Sequence, residues 1–350
     1  MKVLILKRDK IGDLLLTTPM FAHLKQSLPG VELHVLANDY NAWVVENNRD
    51  IDRLWIYSRF KHGDVLRWST LVPQLIQRFA LRRERFDFAI AAGGLASPRA
   101  VRRILGLGAI RTIAYSDGSA PYRGLTDPQT LDRGVHEVEA NLRLLSPLGV
   151  PLPSAPIWPK YDLPCEWKEY GAKWVAEQGL VGGRFIVIGL NARKAKRKPT
   201  REQVLNWAAA VKQRYGMDTV LMWQPGVSEN RIYPGDDEIV PELLKDRPDY
   251  LHPFRHEDSV LAALGVVWQA CAAVFPDGGI AHLASVSPAG VLALFAETEV
   301  SPHPDNWRPF GVRAFYLEAD RTVAELCDEQ VLPIIGRLVE TYVRPQGLSG

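Results

Sequence analysis

Along the chain, short aliphatic and β-branched runs alternate with longer stretches whose apolar positions recur every three to four residues. Residues 2–7 (KVLILK) read as a buried strand, and residues 14–28 as a helix ending at Pro29-Gly30. Strands follow over 32–37 and 51–57, with a short helix near 42–46 between them. A helix over 71–83 then leads to a strand over 86–91. From Gly149 to Pro164 the rhythm breaks: GVPLPSAPIWPKYDLP carries prolines at 151, 153, 156, 159 and 164, a density that makes a stiff, extended connector. The alternation then resumes, with helices over 166–178, 201–215, 259–271 and 280–285, strands over 185–190, 218–223, 272–275 and 290–295, and a closing helix over 322–342. Strands alternating with helices predict parallel sheets joined by right-handed crossovers. The expected fold class is therefore α/β: two Rossmann-like domains with parallel sheets facing across a cleft, and a C-terminal helix. The expected boundaries are residues 1–160 and 161–330, with 331–350 as helix and tail.

Length agrees, since 350 residues exceed the ~250–300 at which a single core stops growing. No apolar run reaches the ~18–20 residues needed to span a bilayer. The most apolar stretch, 261–275, is interrupted by Gln269, and the apolar run 3–6 is followed by Lys7, Arg8 and Lys10, which is no secretory signal. Cys165, Cys271 and Cys327 have neither metal-ligand spacing nor an even count for disulfides. A cytoplasmic protein without a metal site is expected. The net charge of +2 conceals an asymmetry: residues 1–165 carry 22 Lys and Arg against 16 Asp and Glu, a balance of +6, and the remainder carries 20 against 24, a balance of −4. Eight arginines lie between positions 78 and 111, among them Arg99, Arg102 and Arg103. They read either as solvated helix faces or as the meeting place for an anionic partner. Nothing resembles a zinc finger or an RNA-binding aromatic signature, so nucleic acid is not the expected partner.

Three segments could carry chemistry. Lys7 to Asp13 follows the first strand directly; Gly12 allows a tight turn, and Asp13 stands either as a helix N-cap or, with Thr18-Pro19 starting the helix, in a loop before it. Phe275 to Ala284 (FPDGGIAHLA) is a strand, a double-glycine turn and a helix start, where backbone N–H groups favour an anion such as a diphosphate; His282 falls in the first helical turn. Arg193 to Lys198 (RKAKRK) puts five cations in six residues after a second-half strand. It is either a solvated basic loop or the group that neutralises a leaving phosphate.

Taken together and in this order, these segments resemble glycosyltransferase family 9, the heptosyltransferase family. The "GD…TP" opening is matched by Gly12-Asp13 and Thr18-Pro19, and the "D-S/T-G-x-x-H-L-A" turn by Asp277 to Ala284. The "K-x-W-P" pattern is matched loosely by Lys196 to Pro199, and "W-x-P-x-G" by Trp307 to Gly311. Three positions depart from it: Gly278 replaces a Ser or Thr, Ala296-Glu297 replaces Gly-Pro, and Lys198 stands where an aromatic is usual. The resemblance implies a GT-B fold with an acceptor-binding first domain and a donor-binding second domain. It implies an inverting transfer of a sugar, heptose from ADP-heptose in the family's own reaction, to an anionic lipopolysaccharide core. Asp13 would be the general base, Lys194 and Lys196 would stabilise the leaving diphosphate, and Glu229, Asp277, Gly278, Gly279 and His282 would lie on the donor side. The basic first domain, through Arg99, Arg102 and Arg103, would receive the acceptor. The nucleotide sugar is a co-substrate, no further cofactor is implied, and peripheral contact with the inner membrane is expected. Three other readings stay open: a GT-B enzyme or epimerase using another nucleotide sugar, a two-domain binding protein, and a catalytically lapsed transferase.

Overall fold

A computed structural model describes residues 1–58, 68–94, 97–132, 134–227, 235–256, 259–297 and 303–343. The chain divides into two units, Met1–Asp162 and Leu163–Gly350, so the division falls within the proline-rich connector. That connector packs on the first unit: His23 Nε2 lies 2.7 Å from the Pro151 carbonyl, and the Lys160 amide donates to Thr18 Oγ1 at 3.1 Å.

The first unit holds a six-stranded sheet of β1 (Lys2–Leu6), β2 (Glu32–Asn38), β3 (Arg53–Tyr57), β4 (Phe88–Ala91), β5 (Arg111–Tyr115) and β6 (Asp127–Gln129). The second repeats the plan with β7 (Phe185–Gly189), β8 (Asp218–Trp223), β9 (Leu251–Arg255), β10 (Ala272–Pro276), β11 (Val291–Ala296) and β12 (Ala314–Ala319). The strand orders are β3-β2-β1-β4-β5-β6 and β12-β11-β10-β7-β8-β9. The pairings along both sheets are parallel. Each sheet thus has the doubly wound order in which the chain leaves the first strand to one side and later returns to the other.

Central strands read as unbroken apolar runs because helices cover both their faces; β7 and β10 are buried at every position. Four strands escape the sequence pattern, and three of them (β6, β9 and β12) lie at sheet edges. β6 and β9 each contain a proline, Pro128 and Pro253, which an edge tolerates because one side of the strand needs no N–H donor. Helix Arg201–Tyr215 matches its expectation at both ends: Thr200 and Gln203 form a reciprocal cap, and Gly216, at φ +65°, ends it. The closing helix is shorter than expected, Asp328–Glu340, and it buries Val331, Ile335 and Leu338 in the core of the second unit.

Candidate active site

In the first unit Asp13 follows β1 and Arg99 opens the helix after β4, and in the second Lys194 and Lys196 follow β7 and Asp277 to His282 follow β10, so these candidates lie beyond the carboxyl ends of the strands where the strand order reverses. Open α/β sheets bind ligands at such points, because diverging connections leave a crevice there.

In the first unit the expected helix over 14–28 is two helices, Ile11–Leu15 and Thr18–Ser27. Asp13 is therefore neither an N-cap nor a loop residue. It occupies the third position of its own short helix, and its Oδ2 accepts from the Lys10 amide at 2.6 Å. The side chain stays half-exposed. Beneath it lies a buried polar network. Lys7, 1% exposed, donates to Glu137 Oε1 at 2.5 Å and sits 3.4 Å from Asp9 Oδ2. Glu137 Oε2 accepts from the Gly94 amide at 2.9 Å. The Asn38 and Asn41 amides donate to the Arg8 and Asp9 carbonyls at 2.7 and 3.2 Å. Burial works against the Lys7 charge, yet the Glu137, Asp9 and Asp13 carboxylates outweigh it and raise the lysine above its ordinary value. The loop that leads into the helix of Asp13 is thus held in place by its own buried partners. Gly93, at φ +131°, closes over this network: a Cβ there would lie 2.9 Å from Lys7 Nζ.

Arg99, Arg102 and Arg103 share helix Pro98–Leu105, capped by Ser97. With Arg78 they line a cavity of about 330 Å³ whose apolar wall includes Leu36 and Leu107. Arg103 lies 3.8 Å over the Tyr57 ring. Burial pushes the Arg103 guanidinium below its ordinary value, against the pull of Tyr57 and with the Arg8 charge adding to the fall. Arg8 itself bonds Ser97 Oγ at 3.0 Å, which ties the loop before helix Ile11–Leu15 to the cap of the arginine-bearing helix.

In the second unit β10 ends at Pro276, Gly278 sits in an extended conformation (φ 166°, ψ 176°), and helix Gly279–Ala284 begins. A Cβ at Gly278 would meet only the Asn191 and Pro276 carbonyls, at 3.6 and 3.9 Å, so the missing hydroxyl is not excluded by space. Asp277 lies 3.5 Å from Arg197, both side chains being largely buried, and His282 is 6% exposed. The basic run is less free than its sequence suggests. Lys194 and Lys196 both reach Glu297, at 3.0 and 2.7 Å, and Lys198 pairs with the buried Asp236. Glu297 follows β11 at φ +56°, a left-handed conformation that L residues other than Asn and Asp seldom take. Lys196 first and Lys194 second hold its carboxyl down to about 2. Burial, in contrast, pushes the Asp236 carboxyl up against the pull of Lys198. Glu229 lies outside the described residues.

The Glu297 pairing and the Lys7–Glu137 pair escaped the sequence reading. The first had a signal, since Glu297 stands where a Gly-Pro pair is usual; the second had only the position of Lys7 at a strand end. One acidic cluster, Glu32, His34 and Glu84, has ligand spacing for a metal. It lies at the opposite end of β1, however, and Lys2 contacts both carboxylates, at 3.3 and 2.7 Å, filling the cation's place.

No protein-family model and no curated protein sequence matches this chain. Solved structures do. A glycosyl transferase family 9 structure from Veillonella parvula aligns over 97% of both chains with a TM-score of 0.79 and 16% identity. Heptosyltransferase WaaC of E. coli, solved with ADP, aligns over 97% of this chain and 100% of its own, with a TM-score of 0.74 and 16% identity. The ADP-heptose lps heptosyltransferase II of E. coli does so over 97% and 99%, with a TM-score of 0.72 and 17% identity. The fold is GT-B. The likeness seen in four short motifs therefore extends to the whole GT-B chain plan, through sequences that share about one residue in six.

Proposed function

We propose that the protein is a glycosyltransferase moving a sugar, heptose from ADP-heptose in the sharpest form of the reading, to an anionic glycan acceptor such as a lipopolysaccharide core. One observation supports it above the others: within a GT-B fold shared with heptosyltransferases, Asp13 and the Asp277–His282 turn each follow a strand at a topological switch point. In this reading Asp13 takes the proton of the acceptor hydroxyl, and the freed oxygen attacks the anomeric carbon. The bond to the diphosphate breaks, and the nucleoside diphosphate leaves from the opposite face, inverting the centre. The Gly278 and Gly279 amides, with Lys194 or Lys196, meet the charge that grows on the leaving group. Arg99, Arg102 and Arg103 hold the acceptor's anionic groups. The reading needs no metal or further cofactor, and it places the enzyme in the cytoplasm in peripheral contact with a membrane.

A second reading draws on Glu297. Two donor-side lysines already neutralised by a carboxylate favour a donor other than ADP-heptose, or a transferase that has lapsed.

The test begins with thermal stabilisation by ADP, UDP, GDP, CMP and ADP-heptose. A ligand at ~100 times its dissociation constant adds roughly 2.7 kcal/mol, a readable shift. Selective stabilisation by ADP and ADP-heptose is expected; another preference would move the donor, and no response would favour the lapsed transferase. Asp13→Asn keeps an oxygen for the Lys10 amide but removes the base. Transfer should fall ~10²–10⁴-fold while donor stabilisation persists. Transfer left intact in that variant would remove Asp13 as the base.

A further inference from the structure

Helix Trp68–Arg83 lies on the first unit the wrong way round for a helix facing water. Its inward side is largely polar: Gln77 donates to the Ile56 carbonyl at 2.6 Å and Gln74 to the Ser58 carbonyl at 3.2 Å, while Leu81 reaches the core. Its outward side is apolar. Val72, Leu75, Ile76 and Phe79 are 44, 49, 62 and 64% exposed, and their spacing puts them on one face. Ile56, on the adjoining edge strand β3, is exposed as well. An apolar stripe of this kind on a folded domain marks a surface that something covers.

The charges around it say what. Arg78, Arg82 and Arg83 stand exposed on the same helix, and Arg99 and Arg102 stand exposed on helix Pro98–Leu105, sharing a cavity wall with Leu75. No acidic residue lies on the helix, and Glu84 just beyond it is already paired with Lys2 and Arg53. A second copy of the same face would bring arginines against arginines, which opposes association. An apolar stripe whose exposed charged neighbours on this helix and on helix Pro98–Leu105, among the described residues, are arginines matches the boundary of an anionic bilayer, where apolar side chains enter below the headgroups and arginines meet the phosphates.

We infer that the outward face of helix Trp68–Arg83, with Arg99 and Arg102 beside it, docks on a bilayer carrying anionic phospholipids. The inference extends the acceptor side of the transfer reading, because the arginine cavity then opens where a membrane-borne anionic acceptor lies. Its test requires no transfer, so the two readings stand or fall separately.

The full chain is sedimented with vesicles of phosphatidylcholine alone and of phosphatidylcholine mixed with phosphatidylglycerol, at low and high salt. Binding only to the mixed vesicles, weakened by salt, is expected. Ile76→Ser combined with Phe79→Ser removes exposed apolar groups at little risk to folding, which circular dichroism checks, and should weaken binding tenfold or more. Arg99→Gln with Arg102→Gln should weaken it about fivefold per charge and flatten the salt dependence. Val181→Ser with Val312→Ser, exposed apolar positions of the second unit, should leave binding unchanged. Equal binding to neutral vesicles, no binding to either kind, or undiminished binding by the Ile76/Phe79 variant would overturn the inference. So would sedimentation velocity showing a wild-type dimer that this variant makes monomeric without vesicles, which would assign the face to a second copy of the chain.

Discussion

Glu297 and Lys7 show how much a single partner decides. The two lysines on Glu297 are exposed and the pairing is open to solvent, so its interest lies less in stability than in which anion the lysines serve. Because the Glu297 carboxyl is held down to about 2, its charge persists from neutral pH to about pH 3 and is lost only as the pH falls further. Across the working range Glu297 therefore competes with any incoming phosphate. Glu297→Gln should tighten ADP binding about tenfold by calorimetry, the order of one charge-assisted hydrogen bond. Unchanged affinity would mean that the lysines do not serve the nucleotide. Lys7 is the opposite case, since both it and Glu137 are buried. Lys7→Met would leave a buried carboxylate unpaired and should cost about 3–5 kcal/mol in urea unfolding at pH 7. Adding Glu137→Gln removes the stranded charge and should recover most of the deficit. A double variant no more stable than Lys7→Met would show that the pair is not what the variant loses.

At the scale of elements, the second unit depends on one unusually close crossing. Helices Cys165–Glu177 and Val260–Gln269 meet glycine on glycine: a Cβ at Gly171 would lie 2.0 Å from the Gly265 carbonyl oxygen, and one at Gly265 would lie 2.3 Å from that of Trp167. Neither neighbour is a flexible side chain, so the backbones themselves must separate. Gly171→Ala should destabilise by at least ~1–3 kcal/mol, despite the better helix propensity of alanine. Unchanged or raised stability in urea would show that the helices can part freely. Central strands such as β1, β7 and β10 were legible in the sequence as unbroken apolar runs, whereas β5, buried at four of its five positions, was not, because it is short and opens on Arg111-Thr112. The edge strands β6, β9 and β12 were not legible either, because they mix polar and apolar residues where only part of each strand is covered.

For the whole molecule, two units with their own sheets offer a way to watch one of them. Cys165 and Cys327 are exposed, and Cys271 is buried in the second unit's core. Burial pushes the Cys271 thiol up to about 12, so it is neither accessible nor a thiolate at neutral pH. In the native protein two thiols should react with an alkylating reagent, and the third only as the second unit unfolds in denaturant. Labelling of all three in native buffer would contradict the packing of the core around Cys271.

The sequence by itself determined the two α/β halves, their connector and the strand ends that Asp13 and Asp277 follow, because these rest on local physics: apolar runs, proline stiffness and glycine turns. Only the tertiary structure decided which charges meet. Lys7 finds Glu137 130 residues away, and Lys194 finds Glu297 103 residues away. It also decided which side of helix Trp68–Arg83 looks outward. The physical reason is the same in each case: strand order sets which loops become neighbours, and a side chain's partner lies on whichever loop the sheet places beside it.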